Sequence, residues 1–95
     1  MKDKLPRYHR VKLDVAYYDE VISGTKTFEV RKNDRDYQVG DLIQFIPSDH
    51  GITLPDHGGE KPIFIITYIL SSADFVGITP DYVVFSLKEL KEAIP

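Results

Sequence analysis

The apolar positions of this chain recur with two different periods. In "RYHRVKLDV" (Arg7 to Val15) they fall on alternate residues, Val11, Leu13 and Val15, the pattern of a strand with one buried face. The period then lengthens. "AYYDEVIS" sets Tyr17 or Tyr18 three and four residues from Val21 and Ile22, which predicts a short amphipathic helix. Asp14 stands at its N-cap position, and Gly24 where a left-handed C-terminal cap belongs. "TFEVR" returns to period two. Phe28 and Val30 share one side, expected to face the core; Thr27, Glu29 and Arg31 share the other, expected to face a cleft.

"KNDRD" and "VGD" are turn chemistry, and strand "LIQFI" follows, with Pro47 expected to end it. Residues 48–62 read as a long polar loop. "IFIITYIL" (Ile63 to Leu70) is rich in β-branched and aromatic residues and reads as a central strand buried on both faces. "SSADFVGITPD" is a loop with room for one helical turn, "YVVFSL" a last strand, and "KELKEAIP" a short helical or frayed tail. Five or six mostly antiparallel strands with one or two short helices predict a mainly β (α+β) fold. Closing so small a sheet into a β-barrel is the expected way to remove its edges. At 95 residues the chain reads as a single domain over 1–95.

The absence of cysteine excludes a disulfide framework and a thiolate metal site. No apolar run is long enough to cross a bilayer, and "MKDKLPRYHR" lacks the apolar stretch of a secretory signal. The expected address is the cytoplasm, with no membrane partner and a monomer by default. A net charge of −3 argues against a protein that coats nucleic acid indiscriminately. The charge is unevenly spread: residues 1–38 hold nine Lys/Arg against seven Asp/Glu, or +2, and residues 39–95 hold three against eight, or −5. That asymmetry leaves room for a local anion site in the first part of the chain.

The repeated "DHG" at Asp49 and Asp56 offers Asp49, His50, Asp56 and His57 as metal ligands, but a spacing of seven matches no compact metal signature, and the expectation is no metal. No serine lies in a G-x-S-x-G context, and no phosphate-binding glycine loop or dinucleotide fingerprint is present, so no catalytic residue and no cofactor is assigned. His9 reads as a packing or surface residue of its strand. The chemistry concentrates in "GTKTFEVRKNDRDYQ". Thr27, Glu29 and Arg31 form a polar strip, and the turn after them carries Lys32, Asn33 and Arg35. A carboxylate that orients an arginine inside a cationic rim suits a phosphate or a base edge. Lys26, Arg31, Lys32 and Arg35 are then the phosphate contacts. Asn33 adds hydrogen bonds and Tyr37 a stacking face.

The run Gly24, Lys26, Glu29, Arg31 fits the pattern Gly-x-Lys-x-x-Glu-x-Arg, and with "RKNDRDYQVGD" after it the chain resembles the ASCH domains of the PUA-like superfamily. The likeness spans roughly Tyr8 to Leu87 and is strongest to a branch of small bacterial and phage proteins classed as a domain of unknown function. It implies a β-barrel with a motif-lined cleft and a role in binding RNA or a nucleotide-like ligand. A second reading comes from an enzymatic ASCH branch, small amidohydrolases that act on 4-acetylcytidine. Lys26 and Thr27 match that branch's pattern and Asp74 or Asp81 could stand for its distant Glu, but its nucleophilic threonine falls on Glu29, which a carboxylate cannot replace. A third reading is a phage or host interaction protein whose cleft is vestigial.

Overall fold

The structure, a computed structural model, describes residues 5–55 and 61–91. Its elements run β1 (Tyr8–Asp14), α1 (Val15–Ser23), β2 (Phe28–Lys32), β3 (Leu42–Asp49), β4 (Ile52–Thr53), β5 (Ile63–Ser71) and β6 (Tyr82–Glu89). The six strands make one mixed sheet in the order β1-β3-β5-β6-β2, with the short β4 beside the far end of β3. β1 and β3 pair in parallel; every other pair is antiparallel. The mainly β expectation holds, with one helix among the described residues.

The sheet is not a closed barrel. β1 takes β3 as its partner and β2 takes β6, so these two strands are the sheet's edges and are not paired to each other. The parallel β1–β3 pairing needs a crossover, and α1 and β2 are part of it. α1 packs against β1 and β3. Asp14 caps the helix, its Oδ1 accepting from the Ala16 N–H at 2.9 Å, and Gly24 ends it with φ 87°, donating to the Val21 carbonyl at 3.1 Å. Val21 is buried, with Tyr18 and Ile22 packed beside it; Val15, expected on the strand, is instead the helix's first residue and is exposed.

The core is built from alternate residues: Val11 and Leu13 of β1, Ile43 and Phe45 of β3, Phe64 and Ile66 of β5, and Val83, Phe85 and Leu87 of β6. Burying each such side chain contributes about 1.5–3 kcal/mol. Four expectations about these strands need correction. β3 does not stop at Pro47 but continues to Asp49, because the fixed φ of proline suits an extended chain and the Pro47 carbonyl still accepts from the Leu54 N–H at 3.0 Å. β5 is buried on one face only, since α1 is the sole helix among the described residues and leaves the outer face uncovered. Residues 48–62 are not all loop: Asp49 ends β3, and His50 and Gly51, at φ 50° and 83°, turn the chain into β4. The C-terminal tail expected from Lys88 is first strand, as β6 runs to Glu89, and its last residues lie outside the described ones. No helix of the described residues is long and apolar enough to cross a membrane.

Candidate functional site

β6 decides which way β2 faces. Glu29 lies opposite Phe85 and Arg31 opposite Val83, and residues paired across an antiparallel ladder point to the same side. Phe85 and Val83 belong to the core, so Glu29 and Arg31 turn inward, while Phe28 and Val30, opposite Ser86 and Val84, turn out. The expected register is therefore reversed: Phe28 and Val30 are 44% and 51% exposed, and Glu29 only 5%. Glu29 and Arg31 share a face as expected, but that face is the inner one.

Burial of a carboxylate requires compensation, and Glu29 has it on both oxygens. Oε1 accepts from Lys26 Nζ at 2.7 Å and Oε2 from Arg31 Nε at 2.9 Å. Lys26 reaches it because Gly24 reverses the chain and the Lys26 N–H returns to the Glu20 carbonyl at 2.9 Å, fixing the lysine at the helix end. Its ammonium also donates to the Phe28 carbonyl at 2.9 Å and lies 4.9 and 5.4 Å from the ring centres of Phe28 and Tyr17, cation–π geometry. Arg31 also donates through Nη2 to the carbonyl of Lys12 on β1. The triad thus sits where the two sheet edges approach without pairing. A cavity of about 260 Å³ opens there between Tyr17, Lys26, Glu29 and Val30. A second, of about 360 Å³, shares Tyr17, Glu29 and Val30 with it and extends past Arg31 to Lys32 and Tyr82.

The remaining candidates are dispersed. Lys32 and Tyr82, at the end of the second cavity, also line a polar depression of about 410 Å³ with Asn33, Ser71 and Ser72. Asn33 is held in place: its N–H donates to the Asp81 carbonyl at 2.7 Å and its Oδ1 accepts from the Tyr37 N–H at 2.9 Å. Arg35 is exposed in the turn, its carbonyl accepting from Arg7 Nη2 at 2.6 Å. Thr27 is exposed, and its carbonyl accepts from the Leu87 N–H at 2.9 Å. Tyr37 is a correction. It is 3% exposed, its ring 4.8 Å from His9 and 4.9 Å from Phe85, so it packs the core and offers no stacking face. Burial raises its phenol pKa above the ordinary value, against the lowering charges of Arg31 and Arg35. Tyr17, half exposed beside Lys26, holds the position expected of Tyr37. An aromatic at the third position of a helix, next to a returning lysine, was the available signal.

A second buried polar cluster had only the "VGD" turn to announce it. Asp41 accepts from His9 Nε2 at 2.8 Å and from the backbone N–H groups of Arg7 and Gln38, each at 3.1 Å. Burial alone would raise its pKa; these bonds outweigh that and hold it below the usual carboxylate range. Asp41 thereby pins the strand entry of β1 to the turn before β3. Of the residues weighed as metal ligands, Asp49 and His50 form an exposed pair at a hairpin tip, Nδ1 to Oδ1 2.8 Å, and Asp56 and His57 lie outside the described residues. Among the described residues no group of three or more His, Asp or Glu could hold a metal ion.

A family model described as a domain of unknown function, DUF3850, matches residues 8–87. The chain belongs to this family. The match runs from the first residue of β1 almost to the end of β6, so the seam and its triad lie within it. The chain is also similar to an uncharacterized 12.9 kDa protein in the GpA 3′ region of Escherichia phage P2, with 44% identity over 39 residues, which is 41% of this chain and 36% of the phage protein. The aligned part is thus little more than a third of that relative's length.

Proposed function

We propose that this chain is a binding module for RNA or a nucleotide-like ligand, of the ASCH kind within the PUA-like superfamily, with an anion or base edge held in the seam between β1, α1 and β2. One observation carries the reading: two cations, Lys26 and Arg31, are clamped by one buried carboxylate beside an open cavity. The triad bears one net positive charge in a partly desolvated place, where a phosphate gains more from it than in open water. Tyr17 on the cavity wall offers a ring face. Glu29 orients the two donors and needs no proton to do so.

Hydrolysis of a modified nucleoside draws less support. Both oxygens of Glu29 already accept charge-assisted hydrogen bonds, and Asp74 accepts from the N–H and Oγ of Ser71 in its own turn, at 2.9 and 3.1 Å. The test is a titration of the chain with a nucleoside monophosphate across a salt series. Lys26→Ala should weaken binding and flatten its salt dependence, while Lys61→Ala, away from the seam, serves as control. Equal losses in both variants remove the seam from consideration. Inertness of the wild type toward mononucleotide and RNA leaves the interaction-protein reading, and turnover of 4-acetylcytidine establishes the hydrolase.

A further inference from the structure

The outer face of the sheet carries cations. They are Arg10 and Lys12 on β1, Lys32 at the end of β2 and Lys88 on β6, in a chain of net charge −3; the acids near them lie at the strand ends and turns, with Asp14, Asp34 and Asp81 lining cavities that Lys32 also lines. Asp14, at the end of β1, is turned into the cap of α1. Among the described residues, Arg10, Lys32 and Lys88 have neither an ion pair nor a side-chain hydrogen bond.

Across β2, β6 and β5 this face is aromatic and apolar. The pairing sets Phe28 and Tyr68 on either side of Ser86, Val30 and Leu70 on either side of Val84, and Lys32 beside Tyr82. With strands about 4.8 Å apart, Phe28 and Tyr68 lie roughly 10 Å from each other. The orientation of Tyr68 is a built feature. A register shift in β5 between Ile66 and Tyr68 places Tyr68 opposite the outward Ser86 and Ile69 opposite the inward Phe85. Unbroken alternation from Ile66 would send Tyr68 into the core and Ile69 to the surface. The shift instead leaves a tyrosine 63% exposed. An uncovered apolar strip of this kind marks an interaction surface.

We propose that the outer face of β2, β6 and β5 binds single-stranded nucleic acid, with bases stacking on Phe28, Tyr68 and Tyr82 and phosphates meeting Lys32 and Lys88. The argument is complementarity: flat apolar rings among unpaired cations fit a strand that carries exposed bases and a phosphate at every step. A second copy of this chain fits less well, because it would bring no phosphates to the unpaired Lys32 and Lys88. A duplex hides its bases from the rings. The proposal goes beyond the seam reading and stands if the seam binds nothing: its surface adjoins the seam along β2, where Phe28 touches Lys26 and where Lys32 and Tyr82 line the second seam cavity, and extends from there across β6 to Tyr68 on β5.

The experiment titrates the full chain against a short fluorescent oligouridylate, with a duplex of equal length as comparison. Tyr68→Ala and Phe28→Ala should each weaken single-strand binding, by roughly five- to a hundredfold, with Tyr68→Phe restoring it. Lys32→Ala should lessen the slope of log affinity against log salt by about 0.7. Both aromatic positions are exposed, and an unchanged unfolding midpoint for Tyr68→Ala confirms an intact fold. Mononucleotide binding in the seam should survive Tyr68→Ala and fall in Lys26→Ala, which separates this proposal from the seam reading. Equal affinity of wild type and Tyr68→Ala, duplex binding as tight as single-strand binding, no binding at all, or a dimer that Tyr68→Ala dissociates would each overturn it.

Discussion

Arg31 on one edge strand donates to the carbonyl of Lys12 on the opposite edge strand. One side chain thus spans the gap that the missing β1–β2 ladder leaves, while its Nε holds the buried Glu29. Arg31→Ala should therefore act on stability as well as on binding. It frees one oxygen of a buried carboxylate and one edge carbonyl, at a cost of about 2–3 kcal/mol. Urea unfolding should show a lower midpoint with an unchanged slope. Arg31→Lys keeps the charge and should lose less, since an ammonium cannot serve both partners in the same fork.

Asp41 makes the fold sensitive to acid. Its carboxyl is held below its ordinary value in the folded chain, so it binds a proton less readily there than when unfolded. Its contribution is then fully present above the unfolded value, about 3.9, and is lost as pH falls through the lower folded value. Asp41→Asn should be less stable than wild type at neutral pH by about 1–3 kcal/mol, since three donors lose a charged acceptor. The two proteins should converge below about pH 4. Unfolding midpoints measured down a pH series test this; parallel curves would remove Asp41 as the source.

Gly24→Ala tests the helix end that aims Lys26. A Cβ there meets nothing within 4 Å, so the penalty comes from the backbone alone, at φ 87°. The expected loss is about 1 kcal/mol, with Gly24→Asn milder. Mononucleotide binding should fall more than stability does, because the chain reversal also positions the lysine.

Zinc or manganese should leave the melting temperature unchanged. Asp49 and His50 make one exposed pair, and a bound ion would need further ligands from the following segment. A stoichiometric, chelator-sensitive rise in melting temperature would show that the loop does gather around a metal.

Local patterns in the sequence determined the elements. Alternation at Val11 and Leu13, the helical spacing of Tyr18, Val21 and Ile22, the Asp14 and Gly24 caps and the "VGD" turn each depend on neighbouring residues, and each is found where the sequence places it. The spacing of Lys26, Glu29 and Arg31 likewise marked three side chains able to meet. Period two, however, says which residues share a face and not which face is buried. For β2 that choice was made by the ladder to β6, where Phe85 and Val83 outweigh Phe28 and Val30 and carry Glu29 and Arg31 inside with them. The same dependence on distant partners explains Tyr37, drawn into the core between His9 and Phe85, and Tyr68, turned outward by an irregular pairing with β6. It also explains the open sheet. Once β1 pairs in parallel with β3, its other edge faces β2 across the seam, and only tertiary structure could decide that an arginine, rather than a ladder of backbone hydrogen bonds, would bridge it.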